Sequence, residues 1–199
     1  AADRAEVFAL REGRRGERGF LDDYAGYIFS LLALYGATLD NAFLEKARRF
    51  CGKVTADFFD AERGGFYLYG SDGEAQILRP KETYDGAIPS GNSVMAYNLT
   101  RLFYLTDDAE TEKILKKQLD FMHGTARDYP AGHAMYLLAL LNYFDPPEKI
   151  VAVLNNRGDA ANLPFESELD GIVKVLDTPT AQYPLKDDKS TFYVCRGHS

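Results

Sequence analysis

The stretch LDDYAGYIFSLLALY, residues 21–35, is apolar nearly all the way round a helix, and a helix with no broad polar face is one enclosed on most sides by other parts of the chain. The next segment, residues 41–59, has the opposite character. There Phe43, Ala47, Phe50, Cys51, Val54 and Phe58 recur at steps of four, three, one, three and four, with Glu45, Lys46, Arg48, Arg49 and Lys53 between them. That is one apolar stripe on a helix otherwise facing water. The pairing then recurs. Residues 90–105 (SGNSVMAYNLTRLFYL) are mostly apolar, and residues 108–122 (DAETEKILKKQLDFM) are amphipathic with Asp108 at the N-cap position. Residues 131–144 (AGHAMYLLALLNYF) give another enclosed segment, stopped by Asp145-Pro146-Pro147.

Enclosed and one-faced helices alternate when a chain lays one helix in an inner layer and the next in an outer layer. In a four-helix bundle, by contrast, every helix keeps a wet face. The expected fold is therefore mainly α, a partial α/α-hairpin toroid over residues 1–147. A β-hairpin is expected as an insertion, with residues 64–69 and 74–79 flanking Gly70-Ser71-Asp72-Gly73. After Pro147 the period changes. Short β-branched runs at 149–154, 171–176 and 190–195, a short acidic helix near 164–170 and a loop over 177–189 predict a small C-terminal α/β segment, residues 148–199, with a partly parallel sheet.

Composition narrows the function classes. A chain of 199 residues that is 46% hydrophobic and 13% aromatic can bury a sizeable core. Its net charge of -7 argues against a partner held by phosphate contacts, so nucleic acid is not expected. Cys51 and Cys195 lie far apart without a C-x-x-C pair, which gives neither a disulfide framework nor a cysteine zinc site and suits a reducing compartment. Apolar stretches are interrupted before membrane-spanning length, and residues 1–6 lack a basic region followed by an apolar run. A cytoplasmic protein away from membranes is the expectation. No P-loop, dinucleotide fingerprint, G-x-S-x-G elbow or H-E-x-x-H is present, and neither a cofactor nor a metal is expected.

Each enclosed segment opens on a polar or glycine-rich cluster: Asp22, Asp23 and Tyr24 for the first, residues 79–93 for the second, and Tyr129, Pro130, Gly132 and His133 for the third. If these helices run parallel, the clusters meet at one end and form a polar floor for a neutral, hydroxyl-rich or amine-bearing ligand. Asp22, Asp23, Glu82, Asp85 and His133 are the candidate acid–base groups there. Arg79, Lys81, Ser90 and Asn92 would position hydroxyls, and Tyr24, Phe66, Tyr67 and Tyr84 would supply aromatic walls. Structural roles suit the same residues. Asp22 fits an N-cap with Asp23 favouring the helix dipole, Ser90 or Asn92 fits a cap, and Gly86 and Gly91 fit a turn or a close helix approach. An Arg79, Lys81, Glu82 and Asp85 network can be purely structural, His133 can be a satisfied histidine, and His123 favours the C-terminal dipole of an exposed helix. Cys195, with Arg196 and His198 nearby, is either a reactive thiol or a half-buried strand-end cysteine.

The strings Gly19-Phe20-Leu21-Asp22-Asp23-Tyr24-Ala25, Gly64-Gly65-Phe66-Tyr67, Arg79-Pro80-Lys81-Glu82 to Asp85-Gly86-Ala87, and Pro89-Ser90-Gly91-Asn92-Ser93 together resemble the thioredoxin-domain-containing family of spermatogenesis-associated thioredoxin-like proteins. The motifs cover about residues 8 to 145, and Phe192-Tyr193-Val194-Cys195-Arg196-Gly197 is similar to that family's C-terminal segment. The resemblance implies the C-terminal part of a longer protein. Its N-terminal domain would be thioredoxin-like and its α/α toroid similar to those of N-acylglucosamine 2-epimerases and six-hairpin glycosidases. It further implies a second cysteine just past Ser199, and inner-helix surface that other domains of the same protein or further copies of the chain would cover. Two functions follow from it. One is carbohydrate binding with isomerisation or epimerisation, although the epimerases use paired histidines and this chain offers just His133 on an inner helix. The other is a non-catalytic accessory module that holds a substrate or peptide for the thioredoxin-like redox domain. A third possibility is that these motifs serve only to cap and pack inner helices.

Overall fold

The computed structural model describes residues 8–11, 14–71, 79–156, 158–159 and 171–195. Two short strands come first, β1 (Phe8–Arg11) and β2 (Arg14–Arg18), paired as an antiparallel hairpin. Helices α1 (Leu21–Thr38), α2 (Asn41–Phe58), α3 (Gly91–Thr106), α4 (Ala109–Asp128) and α5 (Ala134–Phe144) follow, with a 3-10 turn at Pro130–Gly132 before α5. Strands β3 (Glu148–Val153), β4 (Gly171–Leu176) and β5 (Thr191–Cys195) close the chain.

The alternation read from the sequence is visible in the packing. Helix α3 lies between α1 and α5, α2 packs on α1, and α4 packs on α3. The amphipathic α2 buries Leu44, Ala47, Phe50, Cys51, Val54 and Phe58. Helix α3 is the most enclosed, and its buried Asn98 donates to the Ala25 carbonyl of α1 at 2.9 Å. On the other side the Tyr136 hydroxyl of α5 donates to the Leu119 carbonyl of α4 at 3.0 Å. Asp108 accepts from the Thr111 amide at 2.8 Å, the N-cap its position predicts.

The C-terminal sheet has the order β4-β3-β5, with β4 parallel and β5 antiparallel to β3, so it is partly parallel as expected. It docks through one side chain in particular. The buried Tyr35 hydroxyl at the end of α1 donates to the Val173 carbonyl at 2.9 Å and accepts from the Val175 amide at 3.1 Å. Both bonds reach β4, and Ile172 of the same strand joins the helical core.

Four expectations need correction or a limit. Residues 64–69 do not form a strand. They turn back on the end of α2 through a single Phe59–Phe66 bridge and a Tyr67 amide bond to the Phe58 carbonyl at 2.9 Å. The opposing half of that hairpin and the helix near 164–170 lie largely or wholly outside the described residues. Helix α4 continues to Asp128, so His123 is not at its end. Finally, α1 and α5 are not enclosed on most sides, because α1 exposes Phe29 and Leu34 and α5 exposes Leu137, Leu138, Leu141 and Phe144. The sequence records which faces are apolar and not whether the described residues cover them.

Candidate functional site

Helices α1, α3 and α5 begin at the same end, and side chains lace their starts together. The Asp22 carboxylate of α1 lies against Gly91, first in α3, and a Cβ at Gly91 would collide with that carboxylate and with Leu21. Asp85 joins α3 to α5. Its Oδ1 accepts from the Ser90 amide at 2.9 Å and the Ser90 hydroxyl at 3.2 Å, while its Oδ2 accepts from the Met135 amide at 2.8 Å. The Asp85 amide itself donates to the Gly132 carbonyl at 2.7 Å. Next to it, His133 Nδ1 lies 2.8 Å from the Tyr129 carbonyl, and the Tyr129 ring stacks on Tyr84 with centroids 6.3 Å apart. Asp22, Asp85, Tyr84, Ser90 and His133 thus share one end of the helix row.

Most of the polar groups there have structural partners. Asp23 Oδ2 accepts from the Phe20 amide at 2.8 Å, so Phe20 is the N-cap residue of α1, Asp23 closes that cap, and Asp22 lies inside the first turn rather than capping it. Ser90 caps α3 by accepting from the Ser93 amide at 3.2 Å. Asn92 is wholly buried. Its Oδ1 accepts from the Phe66 amide at 2.8 Å and from Gln118 at 3.2 Å, and its Nδ2 donates to the carbonyls of Phe66 and Glu82 at 2.9 and 2.8 Å. The Glu82 residue itself is exposed. Tyr24 and Phe66 are not aromatic walls but core residues, packed on Phe58 and Phe59 with ring centroids 5.4 and 4.9 Å apart. Tyr24 points inward because its side of α1 faces α2, and Phe66 because its turn folds back on the end of α2, which composition alone does not disclose.

Arg79, Lys81 and Tyr67 form a second cluster, organised by a residue that sequence reasoning passed over, Asp60. Its Oδ2 accepts from the Lys81 ammonium and the Tyr67 hydroxyl, both at 2.8 Å, and its Oδ1 accepts from the Glu62 and Arg63 amides, both at 3.0 Å. Lys81 also donates to the Gly64 carbonyl at 2.6 Å, and Arg79 lies 4.0 Å over the Tyr67 ring while donating to the Tyr69 carbonyl at 2.8 Å. The available signal was Asp60 three residues before Arg63-Gly64-Gly65, an acidic side chain ahead of a glycine turn. The Lys81 bond, with the Arg63 amide and Tyr67 hydroxyl after it, holds the Asp60 carboxyl well below the usual carboxylate range. A depressed value means stability that is present above the unfolded-state value and is lost as pH falls toward the folded one. Asp60→Asn should therefore lower the melting temperature at neutral pH and flatten its decline between about pH 5 and pH 3. A decline as steep as the parent's in a pH series of thermal melts would assign the acid sensitivity to another carboxylate.

What remains free at the helix-start end is limited and specific. His133 is buried, and its Nε2 has no hydrogen-bond partner among the described residues. Burial raises the Asp22 carboxyl above its ordinary value, the Gly91 amide opposes that shift, and the neighbouring Asp23 adds to it. Phe20, Tyr84, Ile88 and Tyr129 are exposed around the same helix starts, Tyr84 by 60% and Tyr129 by 54%. Among the described residues no cluster of His, Cys, Asp and Glu is arranged to hold a metal, and no helix is long and apolar enough to cross a membrane. Cys51 is buried, its thiol pushed up to about 12 by desolvation. Cys195 lies far from the helix starts, on β5, in a cavity of about 520 Å³ with Tyr104, Tyr143, Lys149 and Tyr183, its sulfur 3.9 Å from the Tyr183 hydroxyl.

Comparison with known proteins gives partial matches. No protein-family model matches the chain. Spermatogenesis-associated protein 20 of Homo sapiens is 43% identical over 89 residues, which are 44% of this chain and 11% of the human protein. The Rattus norvegicus protein of the same name matches over the same length at 43% identity. A Caenorhabditis elegans protein, described as uncharacterized, is 30% identical over 101 residues, 51% of this chain and 14% of that protein. The matched stretch thus spans about a tenth of the length of these curated mammalian relatives.

Proposed function

We propose that this chain is a helical part of a protein of the spermatogenesis-associated protein 20 family, and that it binds a ligand without catalysing its conversion. The homology over 89 residues at 43% identity supports the family, and the short share of the relatives' length supports a role beside other domains. The row α1–α3–α5 with α2 and α4 on it supports an α/α-hairpin toroid, residues 1–147, and the sheet after Pro147 forms its C-terminal segment. A cytoplasmic setting fits the composition.

The observation that carries the binding reading is how the polar groups at the helix starts are used. Asp23 and Asp85 are held in caps and bridges, Asn92 has all its bonds made inside the fold, and Lys81 and Arg79 serve the Asp60 cluster. A general acid or base needs a proton-transfer site that its structural bonds leave free. The exposed pair Tyr84 and Tyr129, by contrast, offers aromatic surface at the same end of the helix row as the Asp22 carboxylate, suited to a sugar ring or another neutral, hydroxyl-rich ligand. Such a surface would present substrate to a neighbouring redox domain. Titration of neutral mono- and disaccharides by NMR should give saturable shifts at this end, weakened about tenfold or more in Tyr84→Ala/Tyr129→Ala, a loss of about 1.4 kcal/mol. No saturable binding by any sugar would remove the carbohydrate ligand.

One observation favours a catalytic reading. Asp22 is a site carboxyl with a raised value, at the same end as a histidine whose Nε2 is unpartnered, which is the pattern of a poised acid. Interconversion of epimers or of aldose and ketose in the same NMR samples, abolished in Asp22→Asn, would establish that reading in place of simple binding.

A further inference from the structure

From Gly26 to Thr38, α1 carries no charged residue, although a long face of it looks outward. Asp22, Gly26, Phe29, Ala33 and Gly36 are all exposed along that face, Phe29 by 39%, and they follow one another at steps of four, three, four and three. This is the spacing of a helix seam that packs on another helix, with small residues on both sides of one central aromatic ring. At the far end of the seam lies Arg101 of α3. A Cβ at Gly36 would be 3.7 Å from its Nη2, and its guanidinium lies 6.0 Å from the Tyr97 ring centroid. The Arg101 Nε is buried with no hydrogen-bond partner, and no ion pair to Arg101 is found among the described residues. A guanidinium with no carboxylate beside it favours one brought by a partner.

We propose that a second copy of this chain docks on the face, α1 against α1 in antiparallel sense, so that Asp22 of each copy meets Arg101 of the other. Charge complementarity selects this occupant and its direction. Asp22 and Gly36 are 14 residues apart, about 21 Å along the helix, and Phe29 lies midway between them. A two-fold axis at Phe29 therefore brings Asp22 opposite Gly36 and its neighbour Arg101, twice, and brings Gly26 within one residue of the level of Ala33. It also keeps the α3-side edges of both helices on the same side of the interface, where Arg101 stands. The parallel alternative would put Asp22 on Asp22 and leave both arginines unpaired. This dimer would engage Asp22, so it bears on the catalytic reading of that carboxyl, but it does not depend on whether Tyr84 and Tyr129 bind a sugar.

Sedimentation equilibrium of the full 199-residue chain over a range of concentrations is the test. A monomer–dimer equilibrium is expected. Arg101→Glu should weaken it by roughly 30-fold or more, as loss of a desolvated charge pair does, and the exchanged pair Asp22→Arg/Arg101→Glu should recover most of that loss. Ala33→Arg, at an exposed position where folding is not at stake, should leave a monomer, with circular dichroism melts confirming that each variant is folded. A parent chain that stays monomeric would overturn the proposal and leave this face to another segment or partner. So would a dimer indifferent to Ala33→Arg and to the exchanged pair, which would point to the apolar stripe of α5 instead.

Discussion

Asn92→Ala is expected to destabilise the fold by about 4 kcal/mol, near the upper end of what a single substitution does. The side chain is wholly buried at the first turn of α3 and joins segments before and after it in the chain. Its removal leaves the Phe66 amide, the Phe66 and Glu82 carbonyls and one bond of Gln118 unmade at once. Each buried group that loses its partner costs about 1–3 kcal/mol, and water entering the space recovers part of that. Asn92→Asp retains the acceptor for Phe66 and Gln118 but turns a carboxylate toward two carbonyls, so it is expected to be no milder. Urea unfolding of the parent and the two variants measures this directly. A loss below about 1 kcal/mol for Asn92→Ala would show that the network is replaceable by solvent.

Gly64→Ala is expected to lose about 3 kcal/mol, for a different reason. Gly64 has φ of 72°, in the left-handed region where an L side chain costs about 1 kcal/mol. An added Cβ would also lie 2.5 Å from the Lys117 carbonyl oxygen and 3.2 Å from Phe121 Cβ. Both belong to α4, whose backbone cannot withdraw without disturbing Gln118 and its bonds to Asn92. The comparison is Gly124→Ala, inside α4 with nothing within 4 Å of the new methyl, which should stabilise by about 0.5–1 kcal/mol. Thermal melts of the pair would separate the two effects. Equal behaviour of both variants would mean that the turn after α2 moves freely against α4.

The layering was legible in the sequence because burial leaves its mark on composition. Leu44, Ala47, Phe50, Cys51, Val54 and Phe58 announce a one-faced α2, and the meeting of helix starts follows once α1, α3 and α5 share a direction. The hairpin β1–β2 left no such mark, since the residues over 8–18 include Arg11, Arg14, Arg15, Glu17 and Arg18 and show no clean apolar alternation. Local polar chemistry was only half legible. Asp85 was identified as important, yet a carboxylate that bridges two helix starts and one that moves protons are the same residue type in the same kind of place. Tyr24 and Tyr84 look alike in sequence, but one lies in the core and the other in solvent, which depends on a neighbour's backbone and not on the residue. Asp60 was missed because its partners Tyr67 and Lys81 stand 7 and 21 residues away, beyond any local pattern.

The Tyr35 hydroxyl has an effect on the chain as a whole. Its two bonds to β4 join positions 138 and 140 residues apart, so this phenol is one of the ties that close a long loop of backbone. The entropy of closing such a loop grows only with the logarithm of its length, so an insertion within the loop adds little to the closure entropy. The segments between the helices that lie within this loop are therefore expected to tolerate changes of length better than Tyr35 tolerates loss of its hydroxyl.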